Sequence, residues 1–229
     1  MRGRCRVVRK PRRLDPLAER VLSLLAGRAE AGEIVLGGYV ALQHYLDYRQ
    51  THDIDAWWRA RADPAAERVI REAMQRVAAD EGLELRERRF GDTASFELLQ
   101  EGRPRFSFQV SVRSVALDPP QPSAWPPVLI ETLADNIGAK MNALVSRGAP
   151  RDFLDVKMAV DAGLVTTARC WELWQAKNPG APVEGAKQNL LLHLAGIDAR
   201  RPLETIVDPA EREHAALVRR WFRGAFLSG

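Results

Sequence analysis

The sequence has few cysteines and no long apolar run, and each shortage excludes a class of protein. Its two cysteines, Cys5 and Cys170, form no CxxC pair and no Cys/His cluster, so we expect no zinc site and a reducing compartment. No apolar run reaches the roughly 18–20 residues that a membrane span needs, and no apolar signal segment follows the basic N-terminus. We therefore expect a soluble, cytoplasmic, globular protein with no membrane partner.

The net charge of +4 is concentrated at the N-terminus. Residues 1–13, MRGRCRVVRKPRR, hold seven Lys or Arg and no acid, whereas the rest of the chain has 27 basic and 30 acidic residues. One interpretation is a basic arm that binds the phosphate backbone of a nucleic acid, and the other is a solvated terminus. We favour the solvated terminus because no aromatic residue lies among these charges. We assign residues 1–14 as a basic tail, with disorder as one expectation for it.

Behind the tail, helix and strand patterns alternate to about residue 130, and only helical patterns follow. Residues 117–127 contain five prolines and predict irregular structure. The order predicts an α+β fold, with a small mixed sheet and flanking helices over residues 15–130 and a helical bundle over residues 131–229. The predicted helices are 15–30, 39–49, 63–82, 133–147, 152–162, 167–177, 184–195 and 209–226, and the strands are 33–36, 51–58, 83–90, 93–100, 105–113 and 128–132.

An Asp-x-Asp motif in the strand at 51–58 carries the clearest chemical signal. Asp53 and Asp55 flank Ile54, so the two-residue period of a strand puts both carboxylates on one face. Two such carboxylates repel each other unless a cation lies between them, and magnesium or manganese prefers oxygen ligands. Alone, the motif is more often a pair of exposed strand residues. Gly37-Gly38, between a strand and a helix, adds a turn where backbone can closely approach a phosphate.

The glycine turn and the acidic strand together resemble the first motif of the AbiEii/AbiGii toxin family, within the DNA polymerase beta-like nucleotidyltransferase superfamily. That motif has a Gly-Gly pair, a helix, and then Arg-x-Thr-x-Asp-Ile-Asp. The resemblance implies that Asp53 and Asp55 are catalytic and bind the metal, and that the other four residues bind nucleotide. Here the motif residues are Gly37, Gly38, Arg49, Thr51, Asp53 and Asp55.

A second block, KMNALVSRGAPRDFLDV at 140–156, resembles the family's next motif. The resemblance implies that Lys140 is catalytic and steadies the triphosphate, and that the whole set binds nucleotide. By residue chemistry alone, Lys140 is a snorkelling surface lysine, and Asp152 is better explained as a helix cap. A structural salt-bridge cluster of Asp152 and Asp155 with Arg151 is the alternative that stays open. The residues of this block are Lys140, Arg147, Arg151, Asp152 and Asp155.

The sequence departs from the superfamily pattern at the third carboxylate. That acid usually comes from a later strand of the same sheet, and the corresponding strand here is 105–113. Its polar face would present the acid most naturally at Gln109, where an amide stands instead. Glu97 on the neighbouring strand is the substitute that we consider.

The resemblance implies a metal-dependent nucleotidyltransferase of the type IV toxin–antitoxin kind. It would move a nucleoside monophosphate from an NTP to an acceptor hydroxyl on RNA, such as tRNA, or on protein. Magnesium or manganese would be the cofactor, and a cognate antitoxin would be a partner. The alternative, because the third acid is not evident, is a catalytically weakened protein of the same fold that binds nucleotide or RNA.

Overall fold

The computed structural model describes residues 8–113 and 115–227, and it confirms the α+β class. Contacts between Cα atoms divide the chain into two units, residues 1–136 and 137–229. The boundary falls within one helix, Leu133–Ser146. No helix in these ranges is long and apolar enough to cross a membrane.

The first unit is built on a seven-stranded mixed sheet. The elements of this unit are α1 (Pro16–Leu25), a 3-10 helix (Ala29–Glu33), β1 (Ile34–Leu36), α2 (Gly38–Gln43), β2 (Asp53–Trp58), α3 (Pro64–Glu81), β3 (Glu84–Phe90), β4 (Thr93–Gln100), β5 (Arg103–Ser111), β6 (Gln121–Pro122) and β7 (Leu129–Ile130). The sheet order is β3-β4-β5-β2-β1-β7-β6, and β2 runs parallel to β5 and antiparallel to β1.

One face of the central strands is apolar and buried, and the other is polar. Ile54, Phe96, Phe106 and Phe108 are all at most 1% exposed and belong to one core with the buried faces of α1 and α3. The alternation along β5 leaves Gln109 on the opposite, exposed face. This alternation therefore decides which side chains can form a site.

Three predicted elements of this unit need correction. The helix expected at 39–49 ends at Gln43, because the Tyr39 hydroxyl accepts hydrogen bonds from the backbone N–H of Tyr48 and Arg49 and folds that segment back. The helix expected at 15–30 ends at Leu25, shortly before Gly27 adopts a φ of 77°. The stretch 117–127, expected to be irregular, contributes the two-residue strand β6.

Part of the basic tail is described. Residues 1–7 lie outside the described residues, whereas the backbone N–H groups of Arg12 and Arg13 both donate to the Asp47 carboxylate. Lys10 pairs with Glu19 at 2.6 Å.

The second unit is helical. Aromatic side chains form much of its core: the rings of Phe153 and Phe222 lie 4.8 Å apart, and those of Phe222 and Phe226 lie 4.7 Å apart. The unit contains most of α4 (Leu133–Ser146), then α5 (Pro150–Asp161), α6 (Thr167–Lys177), α7 (Val183–Arg200), α8 (Pro209–Trp221) and a π-helical turn (Phe222–Phe226).

Candidate active site

Asp53 and Asp55 lie on the polar face of β2. Between them, Ile54 is fully buried in the core, whereas Asp53 is half-buried and Asp55 is exposed. Parallel pairing with β5 sets Asp53 opposite Ser107 and Asp55 opposite Gln109. Both carboxylates therefore lie on one face of the sheet.

The Gly37-Gly38 turn lies against this strand. The Gly37 N–H donates to the Asp55 carbonyl oxygen at 2.8 Å, and Gly38 has a φ of 56°. A Cβ on Gly38 would lie 2.4 Å from Asp55 Oδ2, and one on Gly37 would lie 2.4 Å from Trp57 Nε1. Glycine is therefore required at both positions by the side chains of β2, and at Gly38 also by the backbone.

A buried carboxylate supports the turn from the side of β7. Glu131 is 1% exposed, and its Oε1 accepts a hydrogen bond from Trp57 Nε1 at 2.7 Å and pairs with Arg113. The Asn136 amide donates both to Glu131 Oε2 at 2.9 Å and to the Gly38 carbonyl oxygen at 2.8 Å. Asn136 thus links the glycine turn to Glu131, and Glu131 is in turn paired with Arg113.

The other two residues of the first motif have structural partners. The Thr51 hydroxyl donates to Asp53 Oδ1 and thereby orients that carboxylate. The Arg49 guanidinium lies 3.5 Å from the ring centre of Tyr39 and donates to the Gln50 carbonyl oxygen at 3.1 Å. Arg49 is therefore held close to α2 by a cation–π contact.

The position of the missing third acid is occupied by Gln109, directly beside Asp55. Glu97 lies two strands from Asp53, opposite Ser107, and its carboxylate pairs with Arg86 at 2.6 Å. Within residues 8–113 and 115–227, no three His, Cys, Asp or Glu residues form a group that could hold a metal. The structure therefore does not bring Glu97 to the aspartate pair.

The residues present fit a divalent cation of the magnesium type. Asp53 and Asp55 offer two carboxylates on one face, and the Gln109 amide offers a neutral oxygen from the next strand. Such hard oxygen donors suit magnesium or manganese, which retain water and take further oxygens from substrate phosphates. The Gly38 backbone packs directly against the Asp55 side chain, because a Cβ built there would lie 2.4 Å from Asp55 Oδ2.

The second motif forms two ion pairs within the helical unit. Lys140 Nζ lies 2.6 Å from Asp155 Oδ2, and the two residues are 8% and 0% exposed. Arg147 donates through Nε and Nη2 to the two oxygens of the fully buried Asp152, at 2.9 and 3.0 Å. Arg151 is exposed on α5.

Two expectations about this motif are wrong. Asp152 does not cap its helix, because α5 begins earlier, at Pro150 with Ala149 at the cap, and Arg147 binds the carboxylate instead. Lys140 is not a snorkelling surface lysine, because it is buried against Asp155. Both aspartates do form salt bridges, as in the alternative interpretation, but the cations are Arg147 for Asp152 and Lys140 for Asp155.

A family profile described as "Nucleotidyl transferase AbiEii toxin, Type IV TA system" matches residues 20–221 of the 229. The chain belongs to the AbiEii family. No curated protein matches the sequence. As an AbiEii protein, the chain is a nucleotidyltransferase, and the family is one of toxins from type IV toxin–antitoxin systems. The resemblance inferred from the two motifs is thereby confirmed.

Sequence patterns did not identify the residues that support the AbiEii glycine turn. Trp57 and Glu131 lie 74 positions apart, and only the folded chain brings them together. The available signal was local: an acid, Glu131, directly follows the short apolar strand β7. A charge at such a position must find a partner when it is buried.

Proposed function

We propose that this AbiEii protein transfers a nucleoside monophosphate from an NTP to an acceptor hydroxyl, with release of pyrophosphate, using magnesium or manganese held by Asp53 and Asp55. The observation that carries the proposal is the aspartate pair on one face of β2, with the Gly38 backbone packed against Asp55. Asp53 and Asp55 would hold the divalent cation, which would supply positive charge against the negative charge that develops on the phosphates during transfer.

The protein's own groups have separate tasks in this proposal. Thr51 orients Asp53, and Asn136 holds the carbonyl of Gly38, so the turn and the carboxylates keep a fixed spacing. We assign Gly37 and Gly38 to seating the triphosphate, because a glycine has no side chain and its backbone can closely approach a phosphate.

The remaining assignments rest on the family motif. Lys140 is proposed to steady the triphosphate, and Arg49 with the second-motif residues is proposed to contribute to nucleotide binding. The same reasoning supports a nucleotidyltransferase domain over residues 15–130, a helical domain over 131–229, a cognate antitoxin and a cytoplasmic location. The second-motif residues in question are Arg147, Arg151, Asp152 and Asp155.

Transfer can be tested directly with each of the four α-labelled NTPs, total RNA and magnesium. We expect label to appear on RNA or on protein with at least one NTP, and to disappear when EDTA removes the metal. Asp53→Asn is the variant expected to be inactive. Asp161→Asn is the matched control, because it removes an exposed acid that pairs with Lys157 on the helical unit. Label that persists in Asp53→Asn would contradict the proposal.

Restoring an acid beside Asp55 should accelerate transfer. We expect Gln109→Glu to raise kcat about tenfold with little change in the KM for NTP, because a charge used mainly in the transition state alters kcat selectively. Steady-state kinetics with the labelled NTP provides the measurement. Ser95→Glu, at the next position along the same cross-strand row, is the control. A slower Gln109→Glu enzyme would show that the amide itself is needed.

A catalytically weakened nucleotide- or RNA-binding protein is the second candidate. The observation that favours it is that the described residues place Gln109, and no acid, next to the aspartate pair. NTP binding without transfer in the natural protein, combined with transfer in Gln109→Glu, would support this candidate over the first.

A further inference from the structure

The helical unit contains an apolar cavity of about 340 Å³, bounded by α5, α7, α8 and the segment that joins α7 to α8. Every residue that lines it lies between positions 150 and 219, so the cavity belongs to the second unit alone. The buried apolar residues of its wall, each at most 7% exposed, are Phe153, Leu194, Ile197, Ile206 and Val218. Ligand sites are typically apolar cavities of roughly 300–1,000 Å³ with a few polar groups that orient the ligand. The cavity therefore has the size and the lining of a site for a small molecule.

Ala215 has the smallest side chain in this wall. It is half-buried on α8, one turn before Val218, and residues three apart on a helix lie on one face. A larger side chain at this position would project into the cavity. Ala215 is therefore the position at which the cavity can be filled without changing its charged groups.

Three exposed polar side chains line the same cavity and mark its mouth. Within residues 8–113 and 115–227, the structure gives these side chains no ion pair and no hydrogen bond. All three can therefore contact a ligand without first breaking a contact within the protein. They are Arg201, Glu211 and His214.

The backbone of Arg201 is held in place at the end of α7. Its N–H donates to the Ile197 carbonyl oxygen at 2.8 Å, and its own carbonyl oxygen accepts a hydrogen bond from Arg219 Nη2 at 2.8 Å. Asp198, one turn earlier on α7, pairs with Arg219 at 3.0 Å. The nearest acid on α7 is thus engaged elsewhere, and the Arg201 guanidinium stays at the mouth as a positive charge.

Glu211 is the acid at the mouth, and it has local compensation. It lies in the first turn of α8, where the helix dipole favours a negative charge. His214 follows one turn later on the same side of the helix and can donate an N–H. Arg201 is left as the charge that a ligand can neutralise.

A carboxylate suits this mouth better than a phosphate ester. The planar guanidinium of arginine donates two parallel hydrogen bonds to the two oxygens of a carboxylate. One arginine balances one negative charge, whereas a phosphate monoester carries about 1.5–2 at neutral pH. The apolar wall behind the mouth then accommodates a hydrocarbon part.

We infer that this cavity binds a small apolar carboxylic acid, with its hydrocarbon part against the buried wall and its carboxylate on Arg201. The site is distinct from the aspartate pair, which belongs to the first unit. The inference does not depend on the proposed transferase function.

Calorimetric titration with straight-chain carboxylates, from butanoate to decanoate and below the concentrations at which they aggregate, tests the inference. We expect the affinity to rise about fourfold for each added methylene until the cavity is full, because each methylene leaves water for an apolar wall. Decanoate should bind more tightly than decylamine, which has the same chain and the opposite charge. No binding, or an affinity that does not rise with chain length, would overturn the inference.

Two variants test the two parts of the site separately. Arg201→Gln should weaken decanoate binding about fivefold and leave 1-decanol binding unchanged, because it removes one partly solvated charge contact. Ala215→Phe should weaken the binding of both ligands about tenfold or more, because the ring takes the place of several methylenes. Urea unfolding shows that each variant is folded.

Each variant has a matched control in the same helix. Arg200→Gln removes a neighbouring exposed arginine of α7, and Ala210→Phe adds a ring at an exposed position of α8; neither residue lines the cavity. Equal losses of decanoate affinity in a variant and its control would overturn the inference.

Two further variants decide the class of ligand and its independence from transfer. Glu211→Gln should leave decanoate binding unchanged or strengthen it, since it removes a negative charge from the mouth; weaker binding would show that the carboxylate assignment is wrong. Asp53→Asn should bind decanoate like the natural protein. Loss of transfer and loss of decanoate binding are therefore separate results.

Discussion

Replacing Gly38 by alanine is expected to reduce nucleotide transfer by at least about a hundredfold, while costing only about 1–2 kcal/mol of folding free energy. The added Cβ would lie 2.4 Å from Asp55 Oδ2 and 2.9 Å from Asp55 Cβ, so the carboxylate has to leave its position. Altering the partners of a metal ligand typically costs about 10–100-fold, so displacing Asp55, which we propose as a ligand, should cost at least as much. Steady-state transfer kinetics and denaturant unfolding measure the two effects.

Gly91 offers the matched control. Its φ of 58° is close to the 56° of Gly38, but a Cβ there would meet no heavy atom within 4 Å. Gly91→Ala should therefore show the same backbone strain and retain full transfer activity. Equal activity losses in Gly38→Ala and Gly91→Ala would mean that backbone strain, and not the contact with Asp55, limits the enzyme.

Asp155→Ala is expected to lower the free energy of unfolding by about 3–5 kcal/mol, because it leaves the buried ammonium of Lys140 without its carboxylate. Asp152→Ala is the contrast, since the Arg147 side chain is 54% exposed and water can solvate it, so we expect a loss of about 1 kcal/mol. Urea unfolding of the natural protein, Asp155→Ala and Asp152→Ala at one pH measures both losses of stability. Similar losses in both variants would contradict the argument from burial.

A double variant separates folding from function at this ion pair. Replacing a buried pair by apolar residues of similar volume is often nearly neutral, so Lys140→Met/Asp155→Leu should fold with stability close to that of the natural protein. If Lys140 also steadies the triphosphate, the same variant should bind NTP about tenfold or more weakly. Normal NTP affinity would make Lys140 a structural residue only.

Local patterns predicted the parts of the site that depend on neighbours in the chain. The two-residue alternation put Asp53 and Asp55 on one face, and the structure agrees, because Ile54 between them is buried. The same alternation in β5 put Gln109 where the third acid was expected, and parallel pairing with β2 sets it beside Asp55. These predictions needed only strand geometry.

The parts that depend on distant residues could not be predicted. The early end of α2 follows from hydrogen bonds of the Tyr39 hydroxyl to a segment that helical propensity alone would have kept helical. The pairing of Lys140 with Asp155 joins two helices, and neither residue signals the other in sequence. Asp152 was predicted to cap its helix, whereas in the structure its carboxylate accepts a hydrogen bond from Arg147.

The bond between Trp57 and Glu131 has a practical consequence for spectroscopy. The indole N–H of Trp57 donates to the buried Glu131 carboxylate, and the same ring nitrogen lies 2.4 Å from the position that a Gly37 Cβ would take. Any shift of the glycine turn changes the surroundings of this one proton. In a nitrogen-labelled sample, the indole resonance of Trp57 is thus a reporter inside the site, which can follow nucleotide or metal binding without an added dye or a chemical modification.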